Sequence, residues 1–283
     1  MPISVKSGRP GKWLSRLALA TALALVGAPA ALCAEAELFP AGWVRLGGGV
    51  LTNDTKVGLA SGAGDRAVVD LGRDFGLGER ETVGFVALGW LPAKHHEFRF
   101  SYFQAGFSGG DAIGRTFHWN GQTYPVGAST EADLDVKVYE LDWTWWILRQ
   151  EKAGLGLEIG ATVLDLALDA SARFQLGDII EVRRETASTT APVPTVGIAG
   201  RAEVVPGLFL DASARWLSGV RIDEVEGDAL QIQAALEWMI TRNFGVGAGY
   251  QRFAFDGDLS QTGFRGTLDF TLDGLQAYAK FAW

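Results

Sequence analysis

DALQIQAALEWMI, residues 228–240, places Leu230, Ile232, Ala234, Leu236, Trp238 and Ile240 on every second position, with Gln231, Gln233, Ala235, Glu237 and Met239 between them. Successive side chains of a strand point to opposite faces, so a strand of this sequence is apolar along one side and largely polar along the other. Ala, Gln, Leu, Glu and Met also suit a helix, and the window alone fits either structure. Its neighbours decide.

The alternation recurs along the chain. In 208–217, Leu208, Leu210, Ala212, Ala214 and Trp216 oppose Phe209, Asp211, Ser213, Arg215 and Leu217. In 139–147, Tyr139, Leu141, Trp143, Trp145 and Ile147 oppose Glu140, Asp142, Thr144 and Trp146. Residues 97–103, 154–163, 195–204 and 244–251 repeat the pattern and are rich in Gly, aromatic and β-branched residues. Period two wins over a helix for the set.

The first thirty-odd residues stand apart. Lys6, Arg9, Lys12 and Arg16 precede an uncharged apolar run, 17–32, and small residues follow at 32–37. This is the layout of a secretory signal peptide over 1–34, or 1–36 if cleavage follows Ala36. The run is shorter than the roughly 20 residues of a spanning helix. The only cysteine, Cys33, leaves with the signal, so no disulfide or thiol chemistry is expected. Removing the four basic residues lowers Lys+Arg from 25 to 21 against 33 acidic residues, which takes the formal charge from −8 to −12. So acidic an exported chain is a poor nucleic-acid binder. After residue 37 there is no apolar run of about 18 residues.

Ten strands are predicted, at about 40–52, 81–91, 96–108, 133–147, 154–170, 193–204, 208–220, 228–240, 244–256 and 268–283. Eight or twelve are the alternatives, and 66–78 reads as a strand extension or a separate pair. Short connections (91–96, 148–153, 205–207, 241–243) alternate with long ones (53–80, 109–132, 175–192, 221–227, 257–267). Up-and-down hairpins with one periplasmic and one outer rim alternate in this way. Asn120-Gly121 marks a tight hairpin inside 109–132. Leu268, Phe270 and Leu272 are out of step with Leu275, Ala277, Ala279, Phe281 and Trp283, so a bulge is predicted near Asp273-Gly274.

Three features predict that the apolar face meets lipid. The polar face carries many charges and small residues. Aromatic residues gather at strand ends, with Trp43, Trp90, Trp143, Trp145, Trp238, Phe281 and Trp283 forming a girdle at the short-turn rim. Ten residues at about 3.3 Å each, tilted by about 40°, rise roughly 25 Å, the height of an outer-membrane apolar band. The leader, the paired strands, the Trp rim and a last strand ending Tyr278, Phe281, Trp283 resemble the outer-membrane β-barrel proteins of Gram-negative bacteria, at the level of the porin-like superfamily. The resemblance covers 38–283 and implies an all-β, up-and-down transmembrane antiparallel barrel in the outer membrane. It also implies that Tyr278, Phe281 and Trp283 form a signal for the barrel assembly machinery, with Trp283 where Phe is commoner. Outer-membrane lipid and lipopolysaccharide are the implied surroundings of a monomer.

With that orientation the lumen receives Arg45, Glu97, Arg99, Glu140, Asp142, Glu158, Arg201, Glu203, Asp211, Arg215, Glu237 and Lys280. A barrel of eight to ten strands has little interior room, and charges there must pair. A side-chain-filled lumen is the preferred reading, with a structural or surface-binding role. The alternatives are a narrow, weakly cation-preferring channel and an outer-rim lipid or peptide hydrolase using His118. No base–nucleophile spacing accompanies His118, so catalysis is not the preferred reading. His95 and His96 are neighbours and point opposite ways in a strand, so no metal site is expected, and no cofactor motif is present.

Overall fold

The computed structural model describes residues 36–283 except 61–65, 71, 73–77, 111–116, 120–121, 125–128, 177–178, 223–224 and 262–263. The signal peptide expected at 1–34, Cys33 and the Asn120-Gly121 turn lie outside the described residues. The strands are β1 (Gly42–Ala60), β2 (Arg66–Asp70), β3 (Arg80–Ala93), β4 (His96–Gly109), β5 (Phe117–Trp119), β6 (Gln122–Tyr124), β7 (Ser129–Arg149), β8 (Ala153–Leu176), β9 (Ile179–Val205), β10 (Leu208–Ile222), β11 (Val225–Met239), β12 (Phe244–Gln261) and β13 (Phe264–Ala282). Each long strand pairs antiparallel with its neighbours in chain order, and β13 pairs with β1. The result is a closed, up-and-down, ten-stranded barrel. β2 continues the row of β3 along the upper part of β1, as the strand-extension reading of 66–78 requires. β5 and β6 form a separate hairpin. Among the described residues no helix is long and apolar enough to cross a membrane.

The opening stretch now has a direction. Leu230, Ile232, Leu236 and Trp238 are exposed on the outer face of β11, while Gln231 and Glu237 are 4% and 1% exposed inside. The same outward set continues round the wall with Leu46, Leu88, Phe100, Leu141, Leu157 and Leu275. A monomer in water does not present such a continuous apolar belt. On β13 the belt runs from Trp283 to Leu275 and ends at Asp273, about 20 Å of height for a tilted strand. The outward faces of Tyr102, Tyr139, Trp216 and Tyr250 mark its upper edge.

β7 shows on one strand how the interior is layered. Its inward residues are Ala132, Leu134, Val136 and Val138, then Glu140, Asp142 and Thr144, then Trp146. The first group joins an outer apolar layer with Leu51, Val83, Phe103, Phe107, Phe253, Phe255, Phe270 and Leu272. The second lies in a charged layer. Trp146 joins a floor with Leu38, Phe39, Trp43, Phe209 and Met239 at the short-turn end.

Two sequence expectations are corrected. No bulge occurs at Asp273-Gly274: β13 keeps register from Ala282 to Gly266 against β1 and from Phe281 to Phe264 against β12. Phe270 and Leu272 point inward because the upper lumen is itself apolar. The segments 175–192, 221–227 and 257–267 are not long loops. They are strand extensions, paired as far as Leu176–Ile179, Ile222–Val225 and Gln261–Phe264. Thr186, Ser188, Thr190 and Thr267 are exposed there, so the oily alternation stops while the hydrogen-bonded ladder continues. The short turns lie where expected, and Gly207 supplies a positive φ of 79° in the β9–β10 turn.

The β9–β10 ladder ends at Val196–Trp216, whereas β9 stays paired with β8 to Ile179. Residues 179–195 therefore have a strand on one side only, among the described residues. Pro192 and Pro194 lie in that stretch, opposite Val163 and Ala161. Proline lacks an N–H, so it fits a ladder where its nitrogen faces the free edge.

Candidate functional site: the charged layer of the lumen

Alternation turns every second polar residue of the lower strands inward, and closure brings them together from opposite walls. Eleven of the twelve charges assigned to the lumen meet in two groups of ion pairs.

The first group sits on the floor. Glu97 of β4 accepts hydrogen bonds from the indole N–H groups of Trp43 and Trp146, each at 2.9 Å, and from both terminal nitrogens of Arg201 at 3.2 Å. Arg201 also donates to Asp211 through Nε at 2.9 Å. Glu237 of β11 holds Arg45 of β1 at 2.7 Å and Lys280 of β13 at 2.6 Å, and accepts the Tyr278 hydroxyl. Three carboxylates thus face three cations. The second group has three carboxylates and two guanidiniums. Arg99 donates to Asp142 at 3.1 Å and to Glu158 at 2.5 Å. Arg215, wholly buried, pairs with Asp142 and with Glu140 at 3.5 Å. Glu140 also accepts from Ser101 at 2.7 Å and from Gln231. Pairing offsets the desolvation of so many buried charges, and Glu97, Glu140 and Glu237 add several hydrogen bonds each.

Glu203 stands outside both groups and accepts the Gly207 N–H at the β9–β10 turn, at 3.2 Å. Trp43 is not a girdle residue. It is fully buried in the floor, because it shares its face of β1 with Arg45. Of the other girdle residues, Trp90, Trp145, Trp238, Phe281 and Trp283 are exposed on the outer wall, and Trp143 stacks on His96 at 5.7 Å. Of the three terminal aromatics, Tyr278 points inward while Phe281 and Trp283 point outward, 6.1 Å apart. His118 lies on β5, paired with Thr123, away from the lumen charges in sequence and sheet. No group of three or more metal-ligating side chains occurs among the described residues.

The floor contains a piece that sequence periodicity did not reveal. Leu38 and Phe39 precede β1 and fold back under the barrel, each under a tenth exposed. The Phe39 ring meets Trp146 edge-on at 5.0 Å, under the guanidiniums of Arg149 and Arg201 at 4.6 and 5.5 Å. Arg201 donates to the Leu38 carbonyl at 3.4 Å. Trp146 was legible as inward from its parity with Asp142 and Thr144.

A belted exterior around a paired, charged interior is the construction of an outer-membrane-type β-barrel. No protein-family model matches the chain, and no curated protein matches it by sequence. Among solved structures it is similar to the outer membrane protease OmpT from Escherichia coli, with a TM-score of 0.60 at 10% identity over 86% of this chain and 96% of that one. Similarity extends to the toluene transporter TodX of P. putida, with a TM-score of 0.36 at 10% identity, covering 89% of this chain and 93% of that one. Neisserial surface protein A is also matched, at a TM-score of 0.31 and 10% identity over 86% and 97% of the two chains. At 10% identity the likeness to OmpT is one of fold.

Proposed function

We propose that the protein is a non-conducting β-barrel of the bacterial outer membrane, with a structural or surface-binding role. The observation that carries this reading is the closure of the lumen by three successive layers: the Phe39–Trp43–Trp146 floor, the paired charges, and the outer apolar layer around Phe103 and Phe270. A cation-preferring channel needs a continuous wet path, and these layers speak against it. The long polar extensions of β7, β8 and β9 favour a surface role, since they raise a hydrogen-bonded sheet above the apolar belt. Lipid and lipopolysaccharide are the proposed surroundings, the barrel assembly machinery the proposed folding partner, and a monomer the proposed state. The test is planar-bilayer recording of the purified protein. No unitary conductance is expected, and steady single-channel steps would overturn the reading.

A further inference from the structure

Between the two ion-pair groups the lumen is not filled. A cavity of about 40 Å³ lies there, with Arg45, Arg99, Glu140, Gln233, Gln251 and Gln276 on its wall. Arg45 is 8% exposed, and its Nε is buried without a hydrogen-bond partner. Leaving a buried donor unmet is unfavourable, and Arg45 lines the chamber, so an acceptor placed there beside Nε would relieve it.

The wall restricts what that acceptor is. An apolar molecule would strand the guanidiniums and carboxamides. An anion would meet Glu140, whose group already holds three carboxylates against two guanidiniums. A cation would meet both Arg45 and Arg99. A small neutral molecule that donates and accepts satisfies every group: it donates to Glu140 and to glutamine oxygens, and accepts from Arg45 Nε. The volume sets the size, since one water needs about 10–15 Å³ of such space. We propose that the chamber is a binding site for a cluster of about three water molecules, held by Arg45, Glu140 and the three glutamines. The packed floor below and the apolar layer above slow their exchange with bulk solvent.

Oxygen-17 relaxation dispersion on the full chain in detergent tests this. The wild-type protein is expected to hold slowly exchanging waters, and the Gln251→Leu/Gln276→Leu variant to lose at least half of them. No long-lived water in the wild type, or an unchanged count in the variant, overturns the proposal. A wild-type crystal structure gives a second test that does not depend on the variant folding. Solvent density within hydrogen-bond distance of Arg45 Nε supports the site. An anomalous bromide or rubidium peak in the chamber, or Arg45 Nε bonded to a protein group across a collapsed cavity, overturns it. The inference goes beyond the non-conducting reading. A dry chamber with silent bilayers sinks this proposal alone, whereas fast-exchanging water with unitary conductance sinks both.

Discussion

The Tyr278 hydroxyl on β13 donates a 2.9 Å hydrogen bond to Glu237 on β11, two strands away. The ring reaches across because β12 offers Gly247 at that level, where a Cβ would lie 2.6 Å from the ring. Tyr278→Phe removes one donor and leaves Glu237 with Arg45 and Lys280. A loss of about 1–2 kcal/mol is expected from chemical unfolding in detergent. Gly247→Val has to displace the ring as well and should lower stability by more than Tyr278→Phe. Equal effects would show that the ring moves freely.

Arg215 and Asp142 are both almost wholly buried and paired. Arg215→Met leaves two carboxylates short of a cation and should destabilise by about 3–5 kcal/mol. The double change Arg215→Met/Asp142→Leu should be clearly milder than the sum of the two single changes, because it removes the stranded charge too. Additive unfolding free energies would mean that the two side chains do not interact.

Leu141 is 58% exposed within the apolar belt, and Asp135 lies on the same outward face of β7 above it. Leu141→Arg is expected to reduce folding stability in lipid vesicles by about 1–3 kcal/mol, between the values for a cation at the interface and at the bilayer midplane. Asp135→Arg should stay within about 0.5 kcal/mol, as surface changes do. Indifference to Leu141→Arg would place this face in water.

Pro192 and Pro194 blunt the free edge of β9. Replacing both with Val restores two donors to an exposed edge, and such edges invite pairing with another chain. The wild-type protein should elute as a monomer in detergent, and the double variant should form dimers or larger species by light scattering. A variant as monodisperse as the wild type would show that the edge is protected by other means.

The lower two-thirds of each strand was legible because the bilayer and the lumen impose opposite chemistry on alternate residues. Residues 183–190 read RRETASTT, polar at nearly every position, so the period-two signal vanishes and 175–192 reads as a loop although it is a ladder. Aromatic identity misled at Trp43, where parity with Arg45 pointed correctly inward. Phe270 and Leu272 read as out of step because the contrast is inverted there, with apolar residues facing the upper lumen and Asp269, Thr271 and Asp273 facing out. The pairing of Glu97 with Arg201, 104 residues apart, depends on closure and has no local trace.

Glu237 binds Arg45 from the first barrel strand and Lys280 from the last, the two strands whose meeting completes the cylinder. Until that edge joins, the carboxylate has Lys280 within the same β11–β12–β13 sheet but lacks Arg45. The final docking step therefore adds the second cation to this acid, like a clasp whose last hook closes when the first strand arrives. A circularly permuted chain with its ends moved to another turn would meet the same clasp at a different moment of assembly.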